Sequence, residues 1–565
     1  MENSRERNLE FGLFALAFGL ALSIRLLRLG ELPLSDGEAR LALQALDLSK
    51  GLHPVMSPQP AYIVLTALTF FIIQTSNFAA RLVPALFGAG LSLAPFHFRD
   101  RLGRKPAIIL AFFLALDPGY LALSRIAGSP IIGVAALLFA CSAWQKSRSW
   151  AGFWVGVALL SGPMLWPGVL GLAVTYGFLR TIIKHDIQPA GEPSEQRKSL
   201  TRVAIFAGST YVILGSLFLL ATGGLSAGLA AIPAYFGGWL DFTDVPASRL
   251  LIGLASYEFL ALFLAIASLV RGILKRDKLI ISLGLWLTVA LVLALVYPSR
   301  QVADLAWALI PLLTLAALEI SSYLAPIQDG KWETLGMAAF TSAVLIFIMI
   351  NFSAIALAPA EPTALQLRWW LLLGSLALLI VSIAMVAFGW SIPTAVQGSL
   401  WGTLLVLIVL SISTSMASAE LRTYHTVEMW PGESYTGQAG TLVSQINDLS
   451  RWKAGINRSL DVTLLGIDSP ALHWALRDWP ISISPGTNLT GSNPSIVITS
   501  DQFSSPEIET AYRGQGLTWH TDPAWEQGTG ANWLRWSILH DFPQMDGKII
   551  LWVRNDIFID NQNNQ

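Results

Sequence analysis

Two carboxylates, Asp36 and Glu38, follow the first long apolar run of this chain, and their types and spacing suit acid–base chemistry. Ser35 and Glu38 have the separation of a capping box, and Gly51 and Pro54 supply stop signals further on. Between them Arg40, Gln44 and Asp47 recur at helical spacing, while Leu41, Ala42, Ala45, Leu46 and Leu48 fill the other face. The pattern predicts an amphipathic helix lying along a membrane surface. Acidic residues in a first helical turn offset unpaired N–H groups, a structural role worth about 1 kcal/mol. The chemical alternative is that a carboxylate held at the membrane surface deprotonates a hydroxyl beside a lipid-borne substrate.

The surrounding elements must be membrane-embedded. Of 565 residues, 53% are hydrophobic and 13% charged, against roughly 25% charged in an ordinary soluble domain. Apolar runs of spanning length occur at 11–29, 78–97, 106–123, 129–145, 150–164, 165–183, 203–222, 248–270, 279–297, 303–323, 334–357, 369–389 and 393–416. That gives about 13 transmembrane helices. Arg25 and Arg28, near the far end of the first run, are placed to snorkel. The apolar stretch 61–73 is shorter and framed by Pro58 and Pro60.

Lys and Arg concentrate at 98–105, 145–148, 184–202 and 271–278, which the positive-inside rule puts in the cytoplasm. With a cytoplasmic N-terminus, that assignment requires 61–73 not to cross, and an odd number of spans leaves the C-terminus outside. The chain therefore reads as an α-helical polytopic membrane protein of the plasma membrane, residues 1–420. A small extracytoplasmic α/β domain, 421–565, follows, with strands at 461–466, 495–499 and 548–553 and helices at 470–478 and 506–513.

A formal net charge of −1 provides no basic field for nucleic acid. The single cysteine, Cys141, excludes a disulfide framework. No cofactor is expected, and the acidic residues of the outer face are too scattered to define a metal site.

Four segments in order carry a resemblance: Ser35-Asp36-Gly37-Glu38-Ala39, the run 77–86 containing Arg81, the basic turn 101–105, and 116–125 with Asp117, Ser124 and Arg125. Together they resemble the GT-C glycosyltransferases, within which the chain looks like the protein O-mannosyltransferase, aminoarabinose-transferase and RgtA-like group. The resemblance implies an active site on the outer face and transfer of a sugar from a polyprenyl-phosphate carrier, assisted by an acidic residue of the first outer loop. The chain departs from the group at Gly37, where an Asp is expected before Glu-Ala, and at Gly128 and Pro130, where many members carry an Arg and an Asp. Asp117 is then the nearest substitute for the second acid.

On this reading Asp36, or failing that Glu38, accepts the acceptor's proton, and the attacking oxygen displaces the lipid phosphate with inversion. Arg125 and Arg300 are the expected phosphate-binding cations, since the guanidinium fork suits phosphate oxygens, and Asp117 completes the substrate-binding set. The expected partners are the bilayer, a polyprenyl-phosphate sugar and an extracytoplasmic glycan, lipid or protein acceptor. Two rivals remain open: a non-catalytic binding or assembly protein on the same scaffold, and a transporter of lipid-linked sugars.

Overall fold

The computed structural model describes residues 2–144, 146–182, 193–243, 245–323, 331–357, 362–422, 427–430, 435–484, 493–501 and 511–558. The chain begins with helix α1 (Glu2–Leu26). It ends where Arg28 adopts φ +55° and Gly30 approaches the Phe78 backbone. Helix α2 (Asp36–Ser49) forms as its caps dictate: Ser35 Oγ accepts from the Glu38 N–H, and Glu38 Oε2 accepts from the Ser35 N–H at 3.1 Å. Beyond its end Gly51 turns the chain at φ +78°.

Helix α3 (Pro60–Ile73) has 14 residues. At 1.5 Å per residue that is about 21 Å, short of the roughly 30 Å hydrocarbon layer, so it cannot cross alone. Its buried side, including Tyr62 and Ile63, packs on α2 and on α4 (Asn77–Leu91), and Tyr62 Oη donates to the Ala80 carbonyl at 2.8 Å. Helices α5 (Ala94–Leu102) and α6 (Arg104–Leu116) meet at Gly103, whose φ of +91° makes the basic turn. The apolar run 106–123 is then broken at Asp117, which caps a short helix α7 (Pro118–Leu123) before α8 (Ile131–Ala143).

Seven described helices are long and apolar enough to cross a membrane, and an eighth crossing is available if the pair Ala247–Tyr257 and Phe259–Lys275 acts as one span. That pair is bent by 90° at Glu258. Fewer spans meet the length test than the thirteen apolar runs because several runs fold as short helices, such as the 12 residues of Arg148–Leu159. The most enclosed spanning segment is Val302–Tyr323, with 83% of its apolar window buried. Trp307 within it donates to the Met164 carbonyl at 2.8 Å, and Tyr120 of α7 donates to the Ala306 carbonyl at 2.6 Å.

Arg25 does not snorkel. It is fully buried, and its guanidinium donates to the carbonyl of Ala21 in its own helix and to those of Leu114 and Ala115, supplying hydrogen bonds the end of α6 would otherwise lack. Arg28 instead pairs with Glu31 at the surface.

The C-terminal part is built on a six-stranded sheet: β1 (Tyr435–Thr436), β2 (Val462–Leu465), β3 (Ile481–Ser484), β4 (Ile496–Ser500), β5 (Tyr512–Pro523) and β6 (Gln544–Arg554), in the order β1-β5-β6-β4-β2-β3. Strands β3, β2 and β4 run parallel; β6 pairs antiparallel with β4 and β5. The expected strands correspond to β2, β4 and β6. The expected helix at 506–513 falls largely outside the described residues, and its last two residues, Tyr512 and Arg513, begin β5. Helix Pro470–Ala475 lies against α2.

Gly128 is locked into this arrangement by a φ of +76° and by Leu41 Cδ1, which lies 2.1 Å from where a Cβ would stand. Gly128→Ala should therefore lower stability by about 1–3 kcal/mol, from overpacking and backbone strain together. Thermal unfolding of the detergent-solubilised chain reads this directly, and a Tm equal to wild type would contradict the packing described for the turn after α7.

Candidate functional site

A cavity of about 930 Å³ opens where the first turn of α2 faces the loop 238–243, Val245, the loop 297–304 and the segment 428–430. Asp36, Gly37, Glu38 and Arg40 form one wall. The 126–130 turn, Tyr235, Asp241, Arg249, Tyr297, Asp304, Glu428 and Asp522 contribute to the others.

Glu38 and Asp36 sit two residues apart but have different surroundings. Glu38 Oε1 accepts from Arg81 Nε at 2.8 Å and from the Ala127 N–H at 2.8 Å; Oε2 accepts from Arg81 Nη2 at 2.6 Å and from the Ser35 N–H. Four donors fill the four lone-pair sites of a carboxylate. Arg81 is similarly occupied: beyond its two bonds to Glu38 it donates to the carbonyls of Leu29, Leu32 and Pro33. This pair, almost wholly buried, ties α4 to the α1–α2 connection and to the turn after α7. Such a carboxylate is a structural anchor and has no free lone pair for a substrate proton.

Asp36 keeps one. Its Oδ1 accepts from Ser469 Oγ at 2.7 Å and from the Ala471 N–H at 2.9 Å, both in the C-terminal domain. Its Oδ2 has no hydrogen-bond partner among the described residues, and the side chain is partly exposed on the cavity wall. Arg40, one helical turn on, is exposed on the same wall and has no ion-pair or hydrogen-bond partner among the described residues.

The other expected substrate ligands lie outside the cavity lining. Arg125 donates three bonds, to the carbonyls of Ile24, Arg25 and Leu27, and so caps the end of α1. Asp117 Oδ1 accepts from the Tyr120 N–H at 2.7 Å, as the cap of α7, deep in the bundle beside Glu258. Arg300 donates from Nη1 to the Val245 carbonyl at 3.0 Å and so fastens one cavity loop to the other. Its neighbours Ser299 and Gln301, not Arg300 itself, face the cavity.

Several lining residues carried no motif. Tyr235 and Tyr297 stack with ring centroids 5.0 Å apart, and Tyr297 Oη donates to the Tyr235 carbonyl at 2.9 Å. Burial, with Asp304, Tyr235 and Asp241 adding to it, pushes the Tyr297 hydroxyl up to about 12, so it remains a neutral donor at physiological pH. Asp304 accepts from the Gln301 N–H at 2.8 Å. Glu428 Oε2 accepts from Tyr257 Oη at 2.6 Å and lies 3.1 Å from His540 Nδ1, joining the bent helix pair to the C-terminal domain. The one signal available in sequence was position: Asp241 and Ser299 lie between apolar runs, and Tyr297 ends one. Among the described residues no group of three or more His, Cys, Asp or Glu is arranged to hold a metal ion.

This arrangement of membrane helices, first-loop helices and a C-terminal sheet is a fold shared with solved membrane proteins. Among solved structures, the chain is similar to ArnT from Cupriavidus metallidurans in the apo state, with TM-score 0.54 and 12% identity over 96% of this chain and 98% of that one. It is similar also to the same ArnT bound to undecaprenyl phosphate, with TM-score 0.53 and 14% identity over 87% and 93%. A fainter likeness, TM-score 0.45 and 11% identity over 88% and 70%, is to the archaeal oligosaccharyltransferase AglB from Archaeoglobus fulgidus, in complex with an inhibitory peptide and a dolichol-phosphate. No family model and no curated protein matches the chain. At these identities the likeness is one of fold.

Removing Arg81 strands a buried carboxylate, so Arg81→Ala should destabilise the protein by about 3–5 kcal/mol. Combining it with Glu38→Gln should recover part of that loss, because the orphaned charge goes too. Additive Tm shifts in this double-mutant cycle would show that the two side chains do not act as a pair.

Proposed function

We propose that the protein is a membrane glycosyltransferase that moves a sugar from a polyprenyl-phosphate donor to an extracytoplasmic acceptor, with inversion at the anomeric carbon. The observation that carries this reading is Asp36: one carboxylate oxygen is held by two donors, and the other, on the wall of a large cavity, has no partner among the described residues. The acceptor hydroxyl gives its proton to Asp36 Oδ2 as its oxygen forms a bond to the anomeric carbon. The bond from that carbon to the phosphate oxygen breaks on the opposite face, and the polyprenyl phosphate leaves with the electron pair. A phosphate monoester is a good leaving group, so no acid is needed to protonate it. One base and suitably placed positive charge suffice.

Glu38 takes the positioning role, because its four hydrogen bonds hold the turn on which Asp36 sits. Phosphate charge falls to Arg40 and Arg249, the arginines that line the cavity, in preference to Arg125 and Arg300. Undecaprenyl phosphate bound to ArnT, a protein of the same fold, supports a polyprenyl carrier. The proposed orientation has the N-terminus in the cytoplasm and the cavity outside, in the plasma membrane, with a glycan, lipid or protein as acceptor.

Purified protein supplied with labelled polyprenyl-phosphate sugars should transfer label, and Asp36→Asn should reduce kcat by about 100-fold or more at unchanged Tm, the usual cost of losing a general base. Arg40→Ala should instead raise the KM for the lipid donor. Full activity of Asp36→Asn would rule out the assigned base, and an inert wild type across a broad donor panel would favour a binding protein on the same scaffold.

A further inference from the structure

Asp36 is held from outside the membrane domain. The side chain that holds it, Ser469, sits 433 residues away at the start of helix Pro470–Ala475. The hydroxyl of a serine has one proton and two lone pairs. Here Ser469 Oγ accepts from the Leu472 N–H at 3.2 Å and from Trp519 Nε1 at 3.2 Å, so both lone pairs are taken. Its one proton is thereby directed to Asp36 Oδ1, 2.7 Å away. The Ala471 N–H, at 2.9 Å from the same oxygen, is the second donor.

The terminal torsion of an aspartate is broad, without the sharp wells of an sp³ rotamer. Position on α2 therefore fixes where the Asp36 carboxylate is but not how it is turned. The two donors to Oδ1 set that orientation and leave Oδ2 toward the cavity. The donors are themselves fixed. Ser469 and Trp519 are buried, and the helix that begins at Pro470 is anchored to the first-loop helices by Trp474. Trp474 Nε1 donates to Asn77 Oδ1 at 2.8 Å, and its ring packs on Phe70 with centroids 5.8 Å apart.

We infer that Ser469, oriented by Trp519, is a positioning residue for the Asp36 base, and that the C-terminal domain is an integral part of the catalytic site rather than an accessory to it. The inference rests on the transferase reading given above. In the full-length protein, Ser469→Ala should lower kcat per mole of folded protein by about tenfold to a hundredfold, the scale of a small misalignment of a reacting group. KM for donor and acceptor should stay within about twofold, because Ser469 is not among the residues lining the cavity. Ser469→Thr, which keeps the hydroxyl, should restore most of the kcat. Trp519→Phe, which removes the N–H that orients Ser469, should lower kcat in the same sense as Ser469→Ala; it also guards against a Ser469→Ala chain that folds poorly.

A purely structural role would lower the Tm and the folded fraction without lowering kcat of the folded fraction. Wild-type kcat in folded Ser469→Ala, beside an inactive Asp36→Asn, would overturn the inference and leave Asp36 as the base. A raised KM at unchanged kcat would also overturn it, by making Ser469 a ligand contact. Undiminished turnover in Asp36→Asn would remove the base assignment and the positioning role together.

Discussion

The first loop depends on one ion pair. Glu38 and Arg81 meet in nearly dry surroundings, where an unpaired charge of either sign would cost several kcal/mol. The structure meets that demand with a complete set of hydrogen bonds: four donors around the carboxylate, and carbonyls from 29–33 around the rest of the guanidinium. Because the partners come from several separate pieces of chain, α4, the connection after α1, the cap of α2 and the turn after α7 have one mutual arrangement. The direction in which α2 presents Asp36 follows from it.

The same logic recurs with the other buried arginines. Arg25 and Arg125 bond to carbonyls at helix ends, Arg25 to Leu114 and Ala115 at the end of α6 and Arg125 to Ile24, Arg25 and Leu27 at the end of α1. In water those carbonyls would be solvated; in an apolar bundle they need a donor from the protein. A guanidinium with five N–H groups can serve several carbonyls at once, which suits it to the junction of α1, α6 and α7.

This explains where sequence reasoning reached and where it stopped. The limits and caps of α2 were legible, because Ser35, Glu38 and Gly51 act on their own local backbone. Strands β2, β4 and β6 were legible from apolar β-branched runs such as Ser495 to Thr499. Arg125 could not be separated from a phosphate ligand, since its carbonyl partners on α1 lie about a hundred positions away, as the separations to Ile24 and Arg25 attest. Strand β5 was missed because it alternates poorly and contains Gly514 and Gly516. The division of labour between Asp36 and Glu38 was illegible for the same reason as Arg125: Arg81, Ala127, Ser469 and Ala471 are distant in sequence, and they decide which carboxylate has a free oxygen.

The cavity's charge adds a constraint on what it can hold. Apart from Glu38, whose charge Arg81 balances, its lining carries Asp36, Asp241, Asp304, Glu428 and Asp522 against Arg40 and Arg249. A lipid phosphate entering such a space is attracted to the arginine-bearing parts and repelled elsewhere, and with weak solvent screening inside a protein this preference is felt strongly. The carboxylates are suited to accepting hydrogen bonds from sugar and acceptor hydroxyls. An acid-rich cavity with two cations is therefore better matched to one phosphate and many hydroxyls than to a multiply anionic ligand, a charge pattern that accords with the proposed lipid-phosphate donor.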